Sequence, residues 1–548
     1  MHVAKKICLI GHECGSYKGQ GGIATYIELT AKGFAKLGLE VHVIYIHGSG
    51  VDCDDVKSWK IKNDPSLYKI SLEVDKVLEE IKPDFVECTD FIGMMSYTLS
   101  KRAIRGLDYK CIFITNHHTG IKEVWEWGTQ LKFNETAKSW MKSLYIAERT
   151  QSLLSDANFS TSNFLASYLD ANHIESYQVS PSYYEMNDNF GETNKNHYDS
   201  NLLRIISLGR FELRKKQELL IKATCELLDE GYDIETTLIG NSGGDLYTHQ
   251  DYMEYCYSLI PTGYKHKFHF YDFMPYKLLQ KKYTEYDLFV IPSPYENFPN
   301  TALEAINYGV TVVGSKSSGV ADMIGEDLSD YCFLPNSVSD IKRVILKYNQ
   351  LDAEERATLR LKQRLSLKNL TCFEKSIQER FEKYQAVDEL RSEKNIDDKD
   401  ILIVYQDNNG LINKVEYCSE IYYSLGSKWK DFIREIKYIV LTSEEYQFNK
   451  IENYYPAPGI ISCFSSYDPY GTVREIQQAE KGYSSLTLCV ETIPYNEGDS
   501  ISEYIAQVLL STSDVIFFID EEKKVEQGIS IDIKYAIDKI KFNYSGEK

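Results

Sequence analysis

The sequence predicts an α/β protein with two doubly wound domains, each a parallel sheet covered by helices, and a smaller α/β domain after them. Three observations lead to this prediction. The chain has 548 residues, which is too long for a single hydrophobic core. From residue 5 onward, short runs rich in β-branched residues alternate with amphipathic helical stretches. This alternation starts again near residue 200 and once more near residue 400.

The first domain is predicted to span residues 1–190. Its expected strands are KICLIGH, EVHVIYIH, PDFVECT, KCIFITNHH and DANFSTS. The first of them is followed by a glycine-rich turn and the helical stretch IATYIELTAKGFAKLG. Short apolar strands joined through helices are typical of a parallel sheet that is buried on both faces.

The second domain is predicted to span residues 191–385. Its expected strands are LLRIISLGR, IETTLIGN, KFHFYDF, YDLFVIPSP and GVTVVGSK. In open parallel sheets, ligands bind at the carboxyl ends of the strands. We therefore expect the two domains to face a cleft and to bind a ligand there.

The charged segment VDELRSEKNIDDKD, residues 387–400, follows the second domain and predicts a linker over residues 386–399. The runs ILIVYQ, YIVLTS, SLTLCVE and DVIFFID then predict a third α/β domain, residues 400–548. The sequence assigns no chemical role to this accessory domain.

The overall composition argues against some classes of binding partner and some cellular locations. A net charge of −20 argues against nucleic acid as the main partner. The 12 cysteines show no CxxC pair, and several lie in strand-like runs, which is typical of reduced thiols in a cytoplasmic protein. No apolar run approaches the ~20 residues that span a bilayer. A peripheral contact with the inner face of a membrane stays open as an alternative.

The stretch ENFPNTALE predicts the ligand. Glu296 and Glu304 lie eight positions apart, and Pro299 between them is tolerated only in the first turn of a helix. We therefore expect Glu296 in a loop and Glu304 on the helix behind it. Free N–H groups near Asn300 and Thr301 would bind a phosphate. Glu304 would accept ribose hydroxyls and Glu296 those of an attached sugar, so the pattern predicts a nucleotide-sugar site.

These residues resemble the retaining GT-B glycosyltransferases of family four, the glycosyl transferases group 1, whose signature is two glutamates with seven residues between them. The resemblance covers about residues 5–385. SLGRFELRKKQELLIKA is similar to the Gly-Arg, Lys and apolar helix of the family, and Arg210 and Lys215 fall on its two diphosphate-binding positions. Two cations after a strand end suit a developing diphosphate. A solvated basic loop is the alternative interpretation.

The first domain carries two further points of resemblance. GQGGIATYIEL, with Gly21 and Gly22, resembles the glycine-rich first loop of the family, where the backbone can approach a phosphate or sugar. In FITNHHTG, His118 best matches a family histidine that precedes a threonine, and His117 is the other candidate. The resemblance implies contact with the donor sugar near its reacting carbon. A structural histidine at a strand end is the alternative.

Two segments depart from the family pattern. Ser182 and Tyr183 replace its usual Asn-Gly turn. In SSGVADMI, Ser318-Gly319 and Asp322 replace its usual Gly-Gly and glutamate. These departures leave the choice of donor sugar open.

Two other features of the sequence bear on metal binding and on contact with a sugar or membrane. The DxD triplets Asp52–Asp54 and Asp398–Asp400 lie in polar segments and are interpreted as solvated charge, and no His/Cys cluster has zinc spacing, so we expect no metal site. An aromatic stretch follows His118. It would stack on a sugar or enter a membrane surface, or it belongs to an ordinary amphipathic helix; its members are Trp125, Trp127, Phe133 and Trp140.

The sequence thus predicts a retaining, metal-independent hexosyltransferase without a cofactor, with a nucleoside-diphosphate sugar, UDP-sugar favoured, as co-substrate. The acceptor would be a hydroxyl of a glycan, lipid-linked or protein-linked molecule in glycan, surface polysaccharide or glycoconjugate synthesis. The alternative is a catalytically weak GT-B partner that binds acceptor or a second transferase, and the oligomeric state is left open. The predicted catalytic residues are His118, Arg210, Lys215 and Glu296, and the predicted donor-binding residues are Gly21, Gly22, Asn300, Thr301 and Glu304.

Overall fold

A computed structural model describes most of the first two predicted domains and five strands of the third. The described ranges are 5–15, 21–105, 107–171, 176–179, 181, 183–186, 202–241, 251–272, 274, 276–392, 399–407, 436–442, 461–463, 484–491 and 515–518. Three parallel sheets follow one another along the chain, which confirms the predicted fold class.

The first sheet has seven parallel strands in the order β3-β2-β1-β4-β5-β6-β7. The strand order reverses between β1 and β4, so the carboxyl ends of these neighbours open the crevice in which ligands of such sheets bind. The five predicted strands are present, with two short strands added, β3 and β7. The strands are β1 (Lys6–Glu13), β2 (Glu40–His47), β3 (Val56–Lys60), β4 (Phe85–Thr89), β5 (Ile112–His117), β6 (Ala157–Ser160) and β7 (Tyr177–Gln178).

Helices cover both faces of this sheet. In the first helix, Ala24, Ile27, Ala31 and Phe34 recur at helical spacing and are buried against the strands. A side chain at Gly11 would lie 2.8 Å from Ile27, so glycine in β1 lets this helix pack closely. The helices are α1 (Gly22–Lys36), α2 (Leu67–Ile81), α3 (Ser96–Arg105), α4 (Ile121–Thr129), α5 (Phe133–Thr136), α6 (Ser139–Leu154) and α7 (Asn163–Ala171), with a 3-10 turn at Phe91–Gly93.

The second sheet has six parallel strands with the same winding, in the order β10-β9-β8-β11-β12-β13. Its central strands are almost completely buried, as expected for a sheet with helices on both faces. The strands are β8 (Leu203–Leu208), β9 (Ile234–Ile239), β10 (Phe268–Tyr271), β11 (Leu288–Ile291), β12 (Thr311–Ser315) and β13 (Cys332–Phe333).

The helices of the second domain run from residue 217 to residue 392. Short 3-10 turns lie at Leu213–Lys215, Thr262–Lys267 and Glu326–Tyr331. The helices are α8 (Gln217–Asp229), α9 (Tyr252–Ser258), α10 (Tyr276–Tyr283), α11 (Asn300–Asn307), α12 (Val320–Ile324), α13 (Val338–Asn349), α14 (Ala353–Thr371) and α15 (Glu379–Ser392).

The last of these helices returns to the first domain. Together with the π-helical turn before it, Glu374–Gln378, α15 adds Ile377, Tyr384 and Val387 to the hydrophobic core of the first sheet. Residues 386–392 therefore continue a packed helix, although their charge predicted a linker. The difference arises because a helix buries only one apolar face, built from about three or four apolar residues in every two turns, and its opposite face accepts charged residues.

The third sheet has five strands in the order β14-β15-β16-β17-β18. Its four predicted strands are confirmed, and the three-residue strand β16 is additional. The strands are β14 (Lys399–Asp407), β15 (Ile436–Thr442), β16 (Ile461–Cys463), β17 (Ser484–Glu491) and β18 (Val515–Phe518). Among the helices that the structure describes, none combines the length and apolar character that crossing a bilayer requires.

Candidate active site

The two predicted acids lie as expected, one in a loop and one on a helix. Glu296 follows β11 in a buried loop, Pro299 caps α11, and Glu304 lies on α11. The backbone N–H of Gly319 donates to the carbonyl of Glu296 at 2.8 Å. A side chain at Gly319 would lie 1.6 Å from the carbonyl oxygen of Asn297, so this contact requires glycine. The loop that carries Glu296 is therefore held against the backbone at Gly319.

Two cations hold the carboxylate of Glu296. The amine of Lys215 lies 2.5 Å from Oε1, and Nη1 of Arg214 lies 3.3 Å from the same oxygen. Burial alone would raise the pKa of Glu296, but Lys215 and Arg214 lower it to about 2. The pKa of Lys215 is itself lowered, by burial and by Arg214. Glu296 is thus ionised at neutral pH and already paired with the cation predicted to bind a diphosphate.

The 3-10 turn at Leu213–Lys215 explains how two consecutive cations reach one acid. In an extended strand, Arg214 and Lys215 would point to opposite sides. Arg214 also donates to Oε1 of Glu212 at 3.0 Å and to the carbonyl of Tyr295 at 3.4 Å. Sequence reasoning missed Arg214, and the only local signal for it was its place in the run RKK.

Arg210, the other predicted diphosphate cation, follows β8 and is mostly exposed. Its side chain is 70% accessible and lies 3.5 Å from Glu212. The backbone around it is fixed, because Nε2 of Gln217 donates to the carbonyls of Gly209 and Arg210 at 3.3 and 2.9 Å. Arg210 is thus anchored at its backbone and has its guanidinium at the surface, apart from the pair of Lys215 and Glu296.

Glu304 has a different environment from Glu296. Its Oε2 accepts a hydrogen bond from the hydroxyl of Tyr283 at 3.2 Å. Burial raises the pKa of Glu304 to about 7, and the hydrogen bond from Tyr283 opposes this shift. Neutral and ionised forms of Glu304 therefore coexist near neutral pH.

The glycine-rich turn of the first domain meets the start of α11. The side-chain amide of Asn300 donates to the carbonyl of Gly22 at 3.4 Å, and Thr301 follows in the first turn of α11. A side chain at Gly21 would lie 2.5 Å from the carboxylate of Glu13, at the end of β1. The amino-terminal ends of α1 and α11 thus approach each other across the two domains, and their N–H groups and dipoles favour an anion.

The two adjacent histidines have distinct surroundings. His117 ends β5 and is buried, with Nε2 3.1 Å from Oδ1 of Asn158 and Nδ1 3.6 Å from Asp90. His118 is only partly buried, and its backbone N–H donates to Oδ1 of Asp90 at 3.0 Å. Its ring packs edge-on against Tyr26, with centroids 4.4 Å apart, and burial lowers its pKa. His117 is therefore a structural residue at the strand end, and His118 is the better candidate for contact with a ligand.

Polar contacts join the two domains beside these residues. The amide of Asn297 donates to the carbonyl of His117 at 3.0 Å and accepts from the hydroxyl of Ser162 at 2.9 Å. The carboxylate of Asp322 accepts two bonds from Asn163, both at 2.8 Å, at the start of α7. Asp322, which departs from the family pattern, thus caps a helix of the other domain.

Most of the aromatic stretch belongs to packed structure. Trp125 and Phe133 are buried in one small cluster. Trp127 stacks on Tyr295 of the second domain, with centroids 5.8 Å apart. Trp140 differs, because it is 49% exposed. The interpretation as an amphipathic packed segment therefore fits three of the four residues.

Of the remaining motifs, the structure describes only a part. Asp52 and Asp54 are exposed in a loop, while Asp398 and Ser182 lie outside the described residues. Within the described ranges, no group of three or more His, Cys, Asp or Glu side chains has the arrangement of a metal site.

Comparisons with known proteins agree with this two-domain arrangement. Residues 20–180 match the model of Glycosyltransferase Family 4, and residues 191–364 match that of Glycosyl transferases group 1. Each match lies within one of the two doubly wound domains.

Among related sequences, the chain is similar to an uncharacterised glycosyltransferase of Methanocaldococcus jannaschii. The two are 34% identical over 138 residues, which is 25% of this chain and 33% of the relative. It is also similar to a D-inositol 3-phosphate glycosyltransferase of Corynebacterium diphtheriae, with 31% identity over 21% of this chain and 26% of the relative. An amylovoran biosynthesis glycosyltransferase of Erwinia amylovora is 26% identical over 28% of this chain and 37% of the relative. In all three, the aligned segment covers less than two thirds of the relative.

Solved structures share the fold at low identity. Sucrose-phosphate synthase from Thermosynechococcus elongatus aligns with a TM-score of 0.54 at 15% identity, over 70% of this chain and 100% of that one. Anabaena HepE in complex with UDP aligns with a TM-score of 0.50 at 15% identity, over 70% of this chain and 100% of that one. The catalytic domain of starch synthase IV from Arabidopsis thaliana, bound to ADP and acarbose, aligns with a TM-score of 0.51 at 14% identity. This alignment covers 70% of this chain and 99% of that one. The two doubly wound domains therefore share the GT-B fold, and residues 20–180 and 191–364 match two glycosyltransferase family models.

Proposed function

We propose that this protein transfers a hexose from a nucleoside-diphosphate sugar to an acceptor hydroxyl, with retention of configuration and without a metal ion. The observation that carries the proposal is the buried arrangement of Lys215, Arg214 and Glu296. It lies in the loops after β8 and β11, the two strands between which the second sheet reverses its order. This is the position at which open parallel sheets bind their ligands.

Each part of a nucleotide-sugar would meet a suitable group. The diphosphate would lie against the start of α11, at Asn300 and Thr301, opposite Gly21 and Gly22. The two hydroxyls of the ribose would donate to Glu304. Both fits follow from the chemistry of the groups, since helix N–H groups bind anions and carboxylates accept from vicinal hydroxyls.

Charged side chains and His118 would act at the reacting end of the donor, where the sugar joins the diphosphate. Lys215 and Arg210 would stabilise the negative charge that grows on the diphosphate as the glycosidic bond breaks. Glu296 and His118 would orient the sugar, with Glu296 holding its hydroxyls. The acceptor would attack from the face that the diphosphate leaves, which retains the configuration at the reacting carbon.

The donor and acceptor classes are proposed from the similar proteins. UDP-sugar is favoured, because Anabaena HepE was solved with UDP, although the starch synthase was solved with ADP. Similarity to an amylovoran biosynthesis glycosyltransferase supports a role in glycan or polysaccharide synthesis. The acceptor would be a glycan, lipid-linked or protein-linked molecule, handled in the cytoplasm or at the inner face of the membrane.

A donor screen followed by a product assay tests this proposal. A donor at 100 times its Kd should add ~2.7 kcal/mol to stability, which a thermal-shift screen of UDP-, ADP- and GDP-sugars would detect. Incubation of the binding donor with candidate acceptors, followed by NMR of the anomeric proton, should show a product with the configuration of the donor. Absence of binding by every nucleotide-sugar would contradict the proposal. Binding without transfer to acceptor or water would favour the catalytically weak partner instead.

A further inference from the structure

A buried polar cluster lies behind His118 and joins the first domain to α15. It consists of Glu87 on β4, Tyr26 on α1, and Arg380 and Tyr384 on α15. Arg380 donates to Oε2 of Glu87 at 3.0 Å, and both side chains are almost fully buried. The hydroxyls of Tyr26 and Tyr384 donate to the two oxygens of the same carboxylate.

Tyr26 is the member of this cluster that touches His118. Its hydroxyl is held twice, because it donates to Glu87 and accepts from Nη1 of Arg380 at 2.5 Å. Burial raises the pKa of this phenol, so it remains a proton donor at every physiological pH. The His118 ring forms a T-shaped contact with this fixed ring, with an interplanar angle of 71°.

The ring of His118 needs such a support. Rotation about the second side-chain torsion of histidine is soft, so packing decides how the ring is turned. Within the described ranges, the ring also has a weak polar contact, at 3.4 Å between Nε2 and the amide of Asn116. The backbone bond to Asp90 fixes the main chain of His118 and leaves the ring free to turn.

We propose that Tyr26 is a positioning residue, anchored by Glu87 and Arg380, that sets the orientation of the His118 ring. The inference rests on the proposed function, in which His118 orients the donor sugar. It also gives α15 a role in the site, since a helix that follows the second domain supplies the anchor. Tyr26 itself would contact no substrate.

Tyr384 provides a matched control. Its hydroxyl donates to the same carboxylate, but its ring packs against Phe34, Phe85 and Phe159 in the core. Tyr26→Phe and Tyr384→Phe therefore each remove one hydroxyl from Glu87, and only the first loosens the ring that touches His118. Arg380→Lys is a second test, because it keeps the charge beside Glu87 and weakens the anchor of Tyr26.

The experiment is NMR of the full-length protein with ¹³C-labelled histidine, with His118 assigned by the signal lost in His118→Gln. The ionisable groups that act on this ring include Asp90, Glu87, Arg380 and His117, so its signals report on their arrangement. We expect Tyr26→Phe and Arg380→Lys to shift the His118 signals and Tyr384→Phe to leave them in place. Unchanged signals, or equal changes in both Phe variants, would overturn the positioning role.

Kinetics on the same samples separate this inference from the proposed function. We expect Tyr26→Phe to lower kcat about fivefold, which corresponds to the net free energy of one ordinary hydrogen bond. The donor KM should be nearly unchanged. Tyr384→Phe should keep the kcat of the parent. If His118→Gln transfers sugar at the parent rate, the role of His118 in transfer is wrong, while the NMR shifts still decide whether Tyr26 positions its ring.

Discussion

The amine of Lys215 lies 2.5 Å from the carboxylate of Glu296, although 81 positions separate the two residues along the chain. The cation predicted for the diphosphate is therefore held by the acid predicted for the sugar. Arg214 donates to the same oxygen at 3.3 Å. Because these side chains are already held in place, they need to move little when negative charge develops on the leaving group.

Lys215→Ala should lower kcat far more than it weakens donor binding. Removal of one preorganised cation typically costs ~10²–10³ in kcat, about 3–4 kcal/mol, because the charge on the diphosphate grows in the transition state. Steady-state kinetics and donor titrations would measure the two effects. Lys216→Ala is the matched control, because Lys216 is the next residue along the chain and its amine lies 3.9 Å from Glu218 and does not reach Glu296. Equal losses in the two variants would show that net charge, and no particular contact, explains the effect.

Glu304 should make donor binding pH-dependent. Burial raises the pKa of its carboxyl to about 7, so the form that accepts ribose hydroxyls is complete above this pH and is lost below it. We expect the donor KM to rise as pH falls from 8 to 5.5, slightly above pH 7 and by up to about tenfold per unit below it, in the limit where the neutral form does not bind. In Glu304→Gln the KM should be higher and flat with pH, and kcat should change little, because the ribose is unchanged during reaction. An equally steep KM profile in this variant would assign the titration to another group.

Transfer should not depend on a divalent metal. Arg210, Lys215 and the start of α11 would supply the positive charge that a metal otherwise brings to a diphosphate. Activity should therefore persist in EDTA after extensive dialysis. Loss of activity that Mg²⁺ or Mn²⁺ restores would contradict this prediction.

Arg380→Met should destabilise the protein strongly. The substitution leaves Glu87 buried without its cation, and breaking a buried pair in this way costs about 3–5 kcal/mol. Urea unfolding followed by tryptophan fluorescence would measure the shift in midpoint. Adding Glu87→Gln to the same chain removes the uncompensated charge and keeps an oxygen for the tyrosines, so it should recover much of the loss. A double variant as unstable as Arg380→Met would mean that packing, and not the buried charge, sets the cost.

The accessory domain should be dispensable, but α15 should not. A chain of residues 1–392 keeps the helix that supplies Ile377, Arg380 and Tyr384 to the first domain, so we expect it to fold and bind donor. A chain that ends at residue 373 loses these contacts and should be insoluble or far less stable. Circular dichroism and donor-induced thermal shift would compare the two. Failure of residues 1–392 to fold would show that the third sheet belongs to the core.

The parts of this protein that could be predicted are those with a local signature. Alternating apolar runs and helices predict two doubly wound domains, because burial of each strand imposes a pattern on neighbouring residues. Pro299 predicts where α11 begins, because its ring suits only the first turn of a helix. The spacing of Glu296 and Glu304 then separates a loop acid from a helix acid. All of these constraints act within one short segment.

The remaining features depend on residues that the chain brings together from far apart. Arg214 and Glu296 are 82 positions apart, and Arg380 and Glu87 are 293 apart. The charge of α15 suggested a linker, yet its apolar face completes the core of the first domain. The spacing of residues within one segment cannot predict such pairs, because each of these side chains could pair with many different residues elsewhere in the chain. Only the packing of the two sheets and α15 selects Lys215 for Glu296, Tyr283 for Glu304 and Tyr26 for His118.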